Sequence, residues 1–377
     1  MHLVDMTMFY AMEGGGVRTY LAAKARWLAQ RPQIRHSLVA SALRVADDAD
    51  FIAVPSTPVP SVNGYRVPRS IAATVRTLDS LRPSLIEVGD PYHFAWAAAR
   101  NKRAVGTPIV AFYHSDMPCI MGHRFGTLAR HAAQTYLRAV YRHFDLVLAP
   151  SRRMVQFLRG IGVQRVVHQP LGVDTTQFAP HLRDADMRAR LGLAPETRLL
   201  VYAGRFTHEK KLPLLIDAVH ALGRPYHLLL IGSGDAVPRS PQITSLPFQK
   251  EPRILAGLIG GCDLLVHPGD QETFGLVVLE AMACGIPVLG VDAGGIAELI
   301  DRRTGLLVAP GSSKALAQGI EMLFACDMQM LGRQARASVV ARYDWSRILP
   351  QLMSHYGCLF AGQQRAELAA RVAHAFN

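Results

Sequence analysis

Short apolar runs alternate with helix-length segments from one end of this 377-residue chain to the other. Residues 3–9, 34–40, 85–88, 109–113 and 146–148 form a first series of runs, and 199–203, 227–231, 264–266, 288–291 and 306–308 form a second. Strands separated by helix-length crossovers pair in parallel, since a tight turn can join only antiparallel neighbours. Two such series predict an α/β chain with two doubly wound, Rossmann-like domains. The break between them, Gln169-Pro-Leu-Gly-Val-Asp174 through Ala179-Pro180, is rich in turn formers and marks a hinge. It gives an N-terminal domain over 1–172 and a second domain over 173–349. Half of the residues are apolar, enough for a core in each.

Composition excludes several classes. No run of eighteen apolar residues occurs, and the start, Leu3-Val-Asp-Met-Thr-Met-Phe9, lacks the pattern of a signal peptide, which places the chain in the cytoplasm without a spanning helix. Cys119, Cys262, Cys284, Cys326 and Cys358 are odd in number and never spaced Cys-x-x-Cys, which argues against both a disulfide framework and a zinc site. Charge is unevenly placed: residues 1–172 hold 21 Lys and Arg against 10 Asp and Glu, and the rest hold 20 against 19. Such a basic half can face nucleic acid, an anionic membrane or an acidic substrate. No zinc finger, aromatic RNA-binding signature or long basic arm supports nucleic acid.

The most specific chemistry lies in Gln271-Glu-Thr-Phe-Gly-Leu-Val-Val-Leu-Glu-Ala-Met-Ala-Cys-Gly-Ile-Pro-Val288. Glu272 follows an apolar run, and Thr273 is positioned to cap a helix beginning near Phe274, so helical N–H groups would point at a ligand beside a carboxylate. Glu280 lies about two turns on, and at roughly 100° per residue the two acids cannot share a face. They would touch different parts of one extended ligand. Upstream, the glycines of Ala11-Met-Glu-Gly-Gly-Gly-Val17 follow the first strand and suit either a diphosphate cradle or a plain turn. Thr19, three after Gly16, breaks the Gly-x-Gly-x-x-Gly pattern of dinucleotide oxidoreductases. His114, in Phe112-Tyr-His-Ser-Asp116, sits at the carboxyl edge of a sheet, where open α/β sheets bind ligands. Arg205 and Lys210, in Val201-Tyr-Ala-Gly-Arg-Phe-Thr-His-Glu-Lys-Lys211, place two cations just past a strand, suited to the charge of a leaving diphosphate. Gly232 belongs to a glycine turn, Leu230-Ile-Gly-Ser-Gly-Asp235, and Phe248 to a loop on the same edge.

The acid pair, together with Gly-Arg and Glu-Lys, resembles the signature of retaining glycosyltransferases of family 4, two-domain GT-B enzymes that use nucleotide sugars. The resemblance covers the second domain almost completely and the first through three motifs. It implies two domains facing across an interdomain cleft, with terminal helices, about 350–377, crossing back to complete the first. It also implies that Glu272 binds donor-sugar hydroxyls and Glu280 the ribose, with Thr273, Phe274, Gly275 and Leu276 between them. Arg205 and Lys210 would clamp the leaving group, Gly15 and Gly16 match the Gly-Gly of the diphosphate loop, and loops at Gly232 and Phe248 would receive the base. His114 would contact the donor sugar near its primary hydroxyl, and Asp116 would face the acceptor. Lys211 and Gly269 depart from the usual glycine and serine.

No cofactor beyond the donor is implied. Asp48-Ala-Asp50 and Asp184-Ala-Asp186 follow no convincing strand, so no metal is expected and the cations would do its work. Arg124, His131, Arg138 and Arg142 fall within roughly 40° of one helical meridian, opposite an apolar arc of Ala132, Tyr136, Val140 and Phe144. Such a helix either covers the first core or rests peripherally on an anionic membrane, on its inner face. The expected reaction is hexose transfer from GDP-mannose or a UDP-hexose to a hydroxyl of a lipid-linked, membrane-associated or glycan acceptor. A small soluble acceptor and a catalytically silent nucleotide-sugar-binding scaffold are the alternatives.

Overall fold

The computed structural model describes residues 1–10, 15–41, 50–58 and 65–375, with side chains described through 361. Compact units form from residues 1–150, 155–169 and 346–377, and from 151–154 and 170–345.

In the first unit the strands are β1 (His2–Thr7), β2 (Arg35–Ala40), β3 (Asp50–Ala53), the small antiparallel pair β4 (Ser56–Pro58) and β5 (Arg66–Pro68), then β6 (Leu85–Val88), β7 (Ile109–Phe112), β8 (Leu146–Ala149) and β9 (Val166–His168). Seven of them form a parallel sheet in the order β3-β2-β1-β6-β7-β8-β9. Strands β1, β6, β7 and β8 are buried along their whole length. Helices on both faces of a parallel sheet have this effect, so the strands read as unbroken apolar runs. The helices are α1 (Gly16–Ala29), α2 (Ile71–Leu81), α3 (His93–Val105), α4 (Met117–Phe125), α5 (Thr127–Tyr141) and α6 (Arg152–Gly160).

The second unit holds β10 (Arg198–Phe206), β11 (Tyr226–Gly234), β12 (Ile243–Leu246), β13 (Leu264–His267), β14 (Val288–Val291) and β15 (Gly305–Val308), all parallel in the order β12-β11-β10-β13-β14-β15. Its helices are α7 (Met187–Arg190), α8 (Leu212–Leu222), α9 (Pro252–Gly260), α10 (Leu276–Ala283), α11 (Ser313–Phe324) and α12 (Met328–Arg342). Both sheets reverse their winding once, between β1 and β6 and between β10 and β13. At such a switch point the flanking crossovers leave in opposite directions and open a crevice at the carboxyl ends.

The structure revises four sequence expectations. The glycines at 230–235 do not make a turn: β11 runs on to Gly234, with Gly232 paired to Gly204, where a Cβ would lie 1.8 Å from the Gly204 carbonyl oxygen. Basic residues 124–142 are not on one helix, because Gly126 (φ 87°) separates α4 from α5 and puts Arg124 on the former. The buried arc of α5 is Ala133, Leu137, Val140 and Tyr141, while Ala132 is exposed and Tyr136 half-buried, its hydroxyl donating to the Pro91 carbonyl at 2.9 Å. Finally, the chain ends in one helix, α13 (Trp345–Ala375), with Pro350 inside it, where the sequence suggested two.

Helix α13 joins the first unit through a buried polar knot. The Lys24 amine, fully buried on α1, lies 2.7 Å from Asp5 of β1 and 3.1 Å from Glu87 of β6, and donates to the Tyr356 hydroxyl of α13 at 3.0 Å. Tyr20 and Tyr356 both donate to Glu87, and His36 lies 2.7 Å from Asp5. Burial works against ionised Asp5, but Lys24 and His36 outweigh it and hold its carboxyl below the usual range. For Glu87 burial wins and the carboxyl is pushed up. Removing one partner of a buried pair leaves the other charge uncompensated. Lys24→Met is therefore expected to cost about 3–5 kcal/mol of the first unit's stability, and Tyr356→Phe about 1–3 kcal/mol, both read as shifts in the urea unfolding midpoint.

Candidate active site

Most of the residues singled out from sequence fall near the two switch points, while Gly232 on β11 and Phe248 past β12 do not. In the second unit β10 and β13 flank the reversal; Arg205 and His267 lie at their carboxyl ends, and Lys210 and Glu272 in the loops beyond. Arg205 is the penultimate residue of β10 and exposed. Lys210 closes the short 3-10 turn His208–Lys210, after which Lys211 takes a left-handed conformation (φ 54°) and lets α8 start. That residue stands where glycine is usual, and it adopts the backbone glycine would favour.

Lys210 and Glu272, 62 residues apart, form an ion pair in which the Lys210 amine donates to Glu272 Oε1. His267 Nε2 lies 3.1 Å from the same oxygen. Glu272 Oε2 is left to accept from a further donor. Burial disfavours the Glu272 carboxylate, but the Lys210 charge and the His267 contact more than offset this and hold its pKa far below the ordinary range. The acid is thus anionic, fixed, and has one oxygen to offer. From sequence, Lys210 and Glu272 were separate ligand contacts; the structure couples them. His267 was missed, although its place at the end of β13 signals the carboxyl edge. Its Nδ1 is buried without a hydrogen-bond partner, as are Asp270 Oδ1 and Gln271 Nε2 in the loop before Glu272.

Close backbone packing fixes this loop. The Gly295 N–H donates to the Glu272 carbonyl at 2.6 Å, and a Cβ on Gly294 or Gly295 would fall 2.5 Å from the Glu272 carbonyl oxygen or 2.2 Å from that of Thr273. Only glycines allow the turn after β14 to lie against it. Thr273 does not cap the helix as expected, because α10 starts at Leu276 with Gly275, in the left-handed region (φ 102°), at its N-cap. The loop stays irregular for two residues longer than the pattern suggested. Phe274 is buried with its ring against Tyr343 at 6.1 Å, so its side chain is spent on packing. Leu276 opens the helix, and Phe248 is half-buried past edge strand β12, two strands from the switch point. Glu280, the fifth residue of α10, lies on a different element from Glu272, as its spacing required.

In the first unit the switch point gathers the ends of β1, β6 and β7. Gly15 (φ 128°) is the N-cap of α1 and Gly16 its first residue; a Cβ on Gly15 would meet no atom of the described residues within 4 Å. Residues 11–14 of the glycine loop, and Asp48, lie outside the described residues. His114 follows β7, with its ring stacked on Phe112 at 4.4 Å and tilted against Tyr20 at 5.4 Å. Burial and then the Lys24 charge, against a smaller opposing effect of Asp5, push its pKa down to about 3. His114 is neutral at physiological pH and can make a hydroxyl contact, not a cationic one. Asp116 caps α4, accepting from Cys119 N–H at 3.2 Å and the Tyr113 hydroxyl at 3.0 Å. The reading of sequence also passed over Asp90, buried just past β6, which accepts from the N–H groups of Met8 and Tyr92 at 2.8 and 3.1 Å. Burial pushes its carboxyl up to about 7 despite both donors. Among the described residues, no three His, Cys, Asp or Glu side chains gather as a metal-ligand set. Asp184 is instead paired with Arg190.

Burial pushes Glu280 up to about 7 from an ordinary 4.5. Between those values the folded state keeps a proton that the unfolded chain releases, so this group's contribution to stability falls as pH rises and is flat above the upper value. Glu280→Gln is expected to match wild type near pH 5 and to be more stable at pH 8, measured by urea unfolding at both values.

Residues 14–177 match the family described as glycosyltransferase family 4, and residues 197–326 the one described as glycosyl transferases group 1. A GDP-mannose-dependent alpha-mannosyltransferase of Mycobacterium tuberculosis (strain CDC 1551 / Oshkosh) is 30% identical over 323 residues, covering 83% of this chain and 83% of that protein. A GDP-mannose-dependent alpha-(1-6)-phosphatidylinositol dimannoside mannosyltransferase of M. tuberculosis (strain ATCC 25177 / H37Ra) is 28% identical, over 95% of this chain and 97% of that one. Among solved structures, sucrose-phosphate synthase from Thermosynechococcus elongatus has the same fold, with a TM-score of 0.78 at 22% identity over 96% of this chain and 100% of the other. Two switch-point sites of the expected residues, matches along both halves and a relative of this similarity lead to one conclusion: the chain is a member of glycosyltransferase family 4, with the GT-B fold.

Proposed function

We propose that this enzyme transfers mannose from GDP-mannose to a hydroxyl of a lipid-linked acceptor, with retention of anomeric configuration and without a metal ion. The observation that carries the reading is the Lys210–Glu272–His267 cluster at the second switch point. Glu272 Oε2 accepts a donor-sugar hydroxyl, while Lys210 and the exposed Arg205 face the diphosphate. As the glycosidic bond breaks, negative charge grows on that leaving group, and preorganised cations stabilise it where it develops. The leaving phosphate then takes the acceptor's proton on the face it has just left. Glu280 binds the ribose, Gly15 and Gly16 approach the diphosphate, and neutral His114 contacts the sugar. Relatives named for GDP-mannose support this donor, and one named for a phosphatidylinositol dimannoside supports the lipid acceptor.

A surface feature favours the same acceptor class. Helices α4 and α5 begin just after His114, and between them Ile120, Phe125 and Leu128 are exposed at 51%, 62% and 85%. Arg124, whose guanidinium lies 5.5 Å from the Phe125 ring, Arg130 and His131 sit among them. Apolar side chains flanked by cations suit the interface of an anionic bilayer. No helix among the described residues is long and apolar enough to cross a membrane.

Glu272→Gln is expected to lower turnover far more than GDP affinity, since it loses a sugar contact and keeps the nucleotide. Arg205→Ala or Lys210→Ala should cost about 10²–10³ in rate, with wild-type activity unaffected by excess chelator. Thermal shifts with GDP-mannose and UDP-glucose decide the donor, as a ligand at about 100 times its Kd adds roughly 2.7 kcal/mol. Equal stabilisation by both would remove the mannose assignment.

For the membrane, co-sedimentation with phosphatidylglycerol vesicles but not phosphatidylcholine vesicles is expected, weakening with salt because the attraction is screened beyond about 8 Å. Phe125→Ser with Leu128→Ser should reduce it. Full activity on a soluble acceptor, without vesicle binding at low salt, would favour the small-molecule alternative.

A further inference from the structure

A cavity in the first unit lies away from every residue assigned to the sugar nucleotide. It measures about 430 Å³ and is bounded by the last turns of α5 and by the 162–165 loop that leads into β9. Phe144 comes two residues before β8 and Arg165 immediately before β9, so the cavity lies at the amino edge of the sheet. The sugar-nucleotide residues of this unit lie at the carboxyl edge, the length of β8 away, about 13 Å at 3.3 Å per residue.

Three arginines line the cavity: Arg138 on α5, Arg142 one turn on at the helix C-cap, and Arg165 from the loop. Tyr141, Phe144 and Val163, all buried, form its apolar floor, beside which the three arginines are themselves exposed. The carboxylate beside Arg165 is already engaged. Asp145 accepts from Lys102 at 2.6 Å and from the Ile109 N–H at 2.9 Å, and Arg165 reaches it only at 4.0 Å. Arg142 Nε is directed at His143 Nε2 at 3.4 Å, which brings no negative charge. Like charges one helical turn apart repel, and here a third cation joins them.

The backbone is shaped to bring them together. Gly162 (φ 87°) lets the Arg138 stem lie across the loop, since a Cβ there would come within 3.1 Å of Arg138 Cδ. Arg165 is held at φ 54°, a conformation that side-chain-bearing residues adopt rarely. Three exposed arginines bounding one cavity with an apolar floor suit a tetrahedral oxyanion, whose oxygens accept paired N–H donors. We propose that this cavity binds a phosphate group, from free phosphate or a phospholipid headgroup, at a site separate from the donor diphosphate.

Titration of inorganic phosphate at constant ionic strength, followed on the arginine Nε–Hε NMR signals of the full chain, tests this. Signals of Arg138, Arg142 and Arg165 should move together with one Kd. Arg165→Gly removes a cation from a backbone that glycine favours, so it keeps the fold, checked by an unchanged or higher melting temperature. It should weaken phosphate binding about tenfold or more, the scale of one charge-assisted bond. Arg138→Gln should do the same. Three arginines shifting with unrelated constants, or an unchanged Kd in both variants, would overturn the proposal. Vesicles added to the phosphate-loaded protein identify the source. Displacement of phosphate by phosphatidylglycerol but not phosphatidylcholine assigns the site to a lipid headgroup, and retention in both assigns it to free phosphate.

Discussion

One buried amine, Lys24, holds the first unit in register. It brings a helix against two neighbouring strands of the parallel sheet through Asp5 and Glu87, and it anchors the C-terminal helix through Tyr356. Those strands, β1 and β6, flank the switch point, so the knot lies beneath the place where the ligand edge opens. Its charge reaches the site as well. Lys24 adds to burial in keeping His114 neutral, so the ring offers one donor and one acceptor and no charge of its own. Burial is the larger cause, and a cation placed for structural reasons thereby reinforces the neutrality of a residue on the ligand edge.

The second unit solves the matching problem with the opposite charge in charge of the site. There the fixed group is an acid, Glu272, which Lys210 and His267 keep ionised although it is largely withdrawn from water. Pairing orients both partners: the amine cannot swing freely, and one carboxylate oxygen is committed to Lys210 and His267. Such preorganisation lowers the entropic cost of binding and leaves less to rearrange as charge develops. Glu280 shows the contrast. It has no cation to hold it and is therefore protonated more readily, up to about pH 7. Two acids of one motif are thus distinguished by their surroundings and not by their type.

Much of this was legible in the sequence, for reasons that can be stated. Buried parallel strands are continuous apolar runs, so β1, β6, β7, β8, β10, β11, β13 and β14 stood out. Three of the four edge strands did not: β3 begins with Asp50, β12 carries Thr244 and Ser245, and β9 is only Val166–His168, whereas the apolar edge strand β15 was found as the run 306–308. The residues of the two switch points were recognisable from strand ends and motif spacing. What spacing could not give was the pairing of Lys210 with Glu272, a contact made by tertiary folding alone. His267 and Asp90 went unread because a single polar residue after a strand has no pattern of its own. The basic stripe of 124–142 was misphased because one residue, Gly126, breaks the helix and resets its angle.

That break changes what the basic charge of the first unit can do. On one continuous helix, Arg124, His131, Arg138 and Arg142 would form a single face meeting a single surface. Divided, the stripe serves two ends of the sheet: Arg124 stays near the apolar tips of α4 and α5, while Arg138 and Arg142 reach the amino edge and join Arg165. An exposed cation among apolar side chains gains by approaching a charged interface, whose field falls off within a Debye length. Cations gathered over an apolar floor gain by enclosing one anion, through directional bonds that salt screens less. Binding at the first should therefore fall steeply with ionic strength and depend little on which anionic lipid is present, while binding at the second should fall less and discriminate between oxyanions by shape.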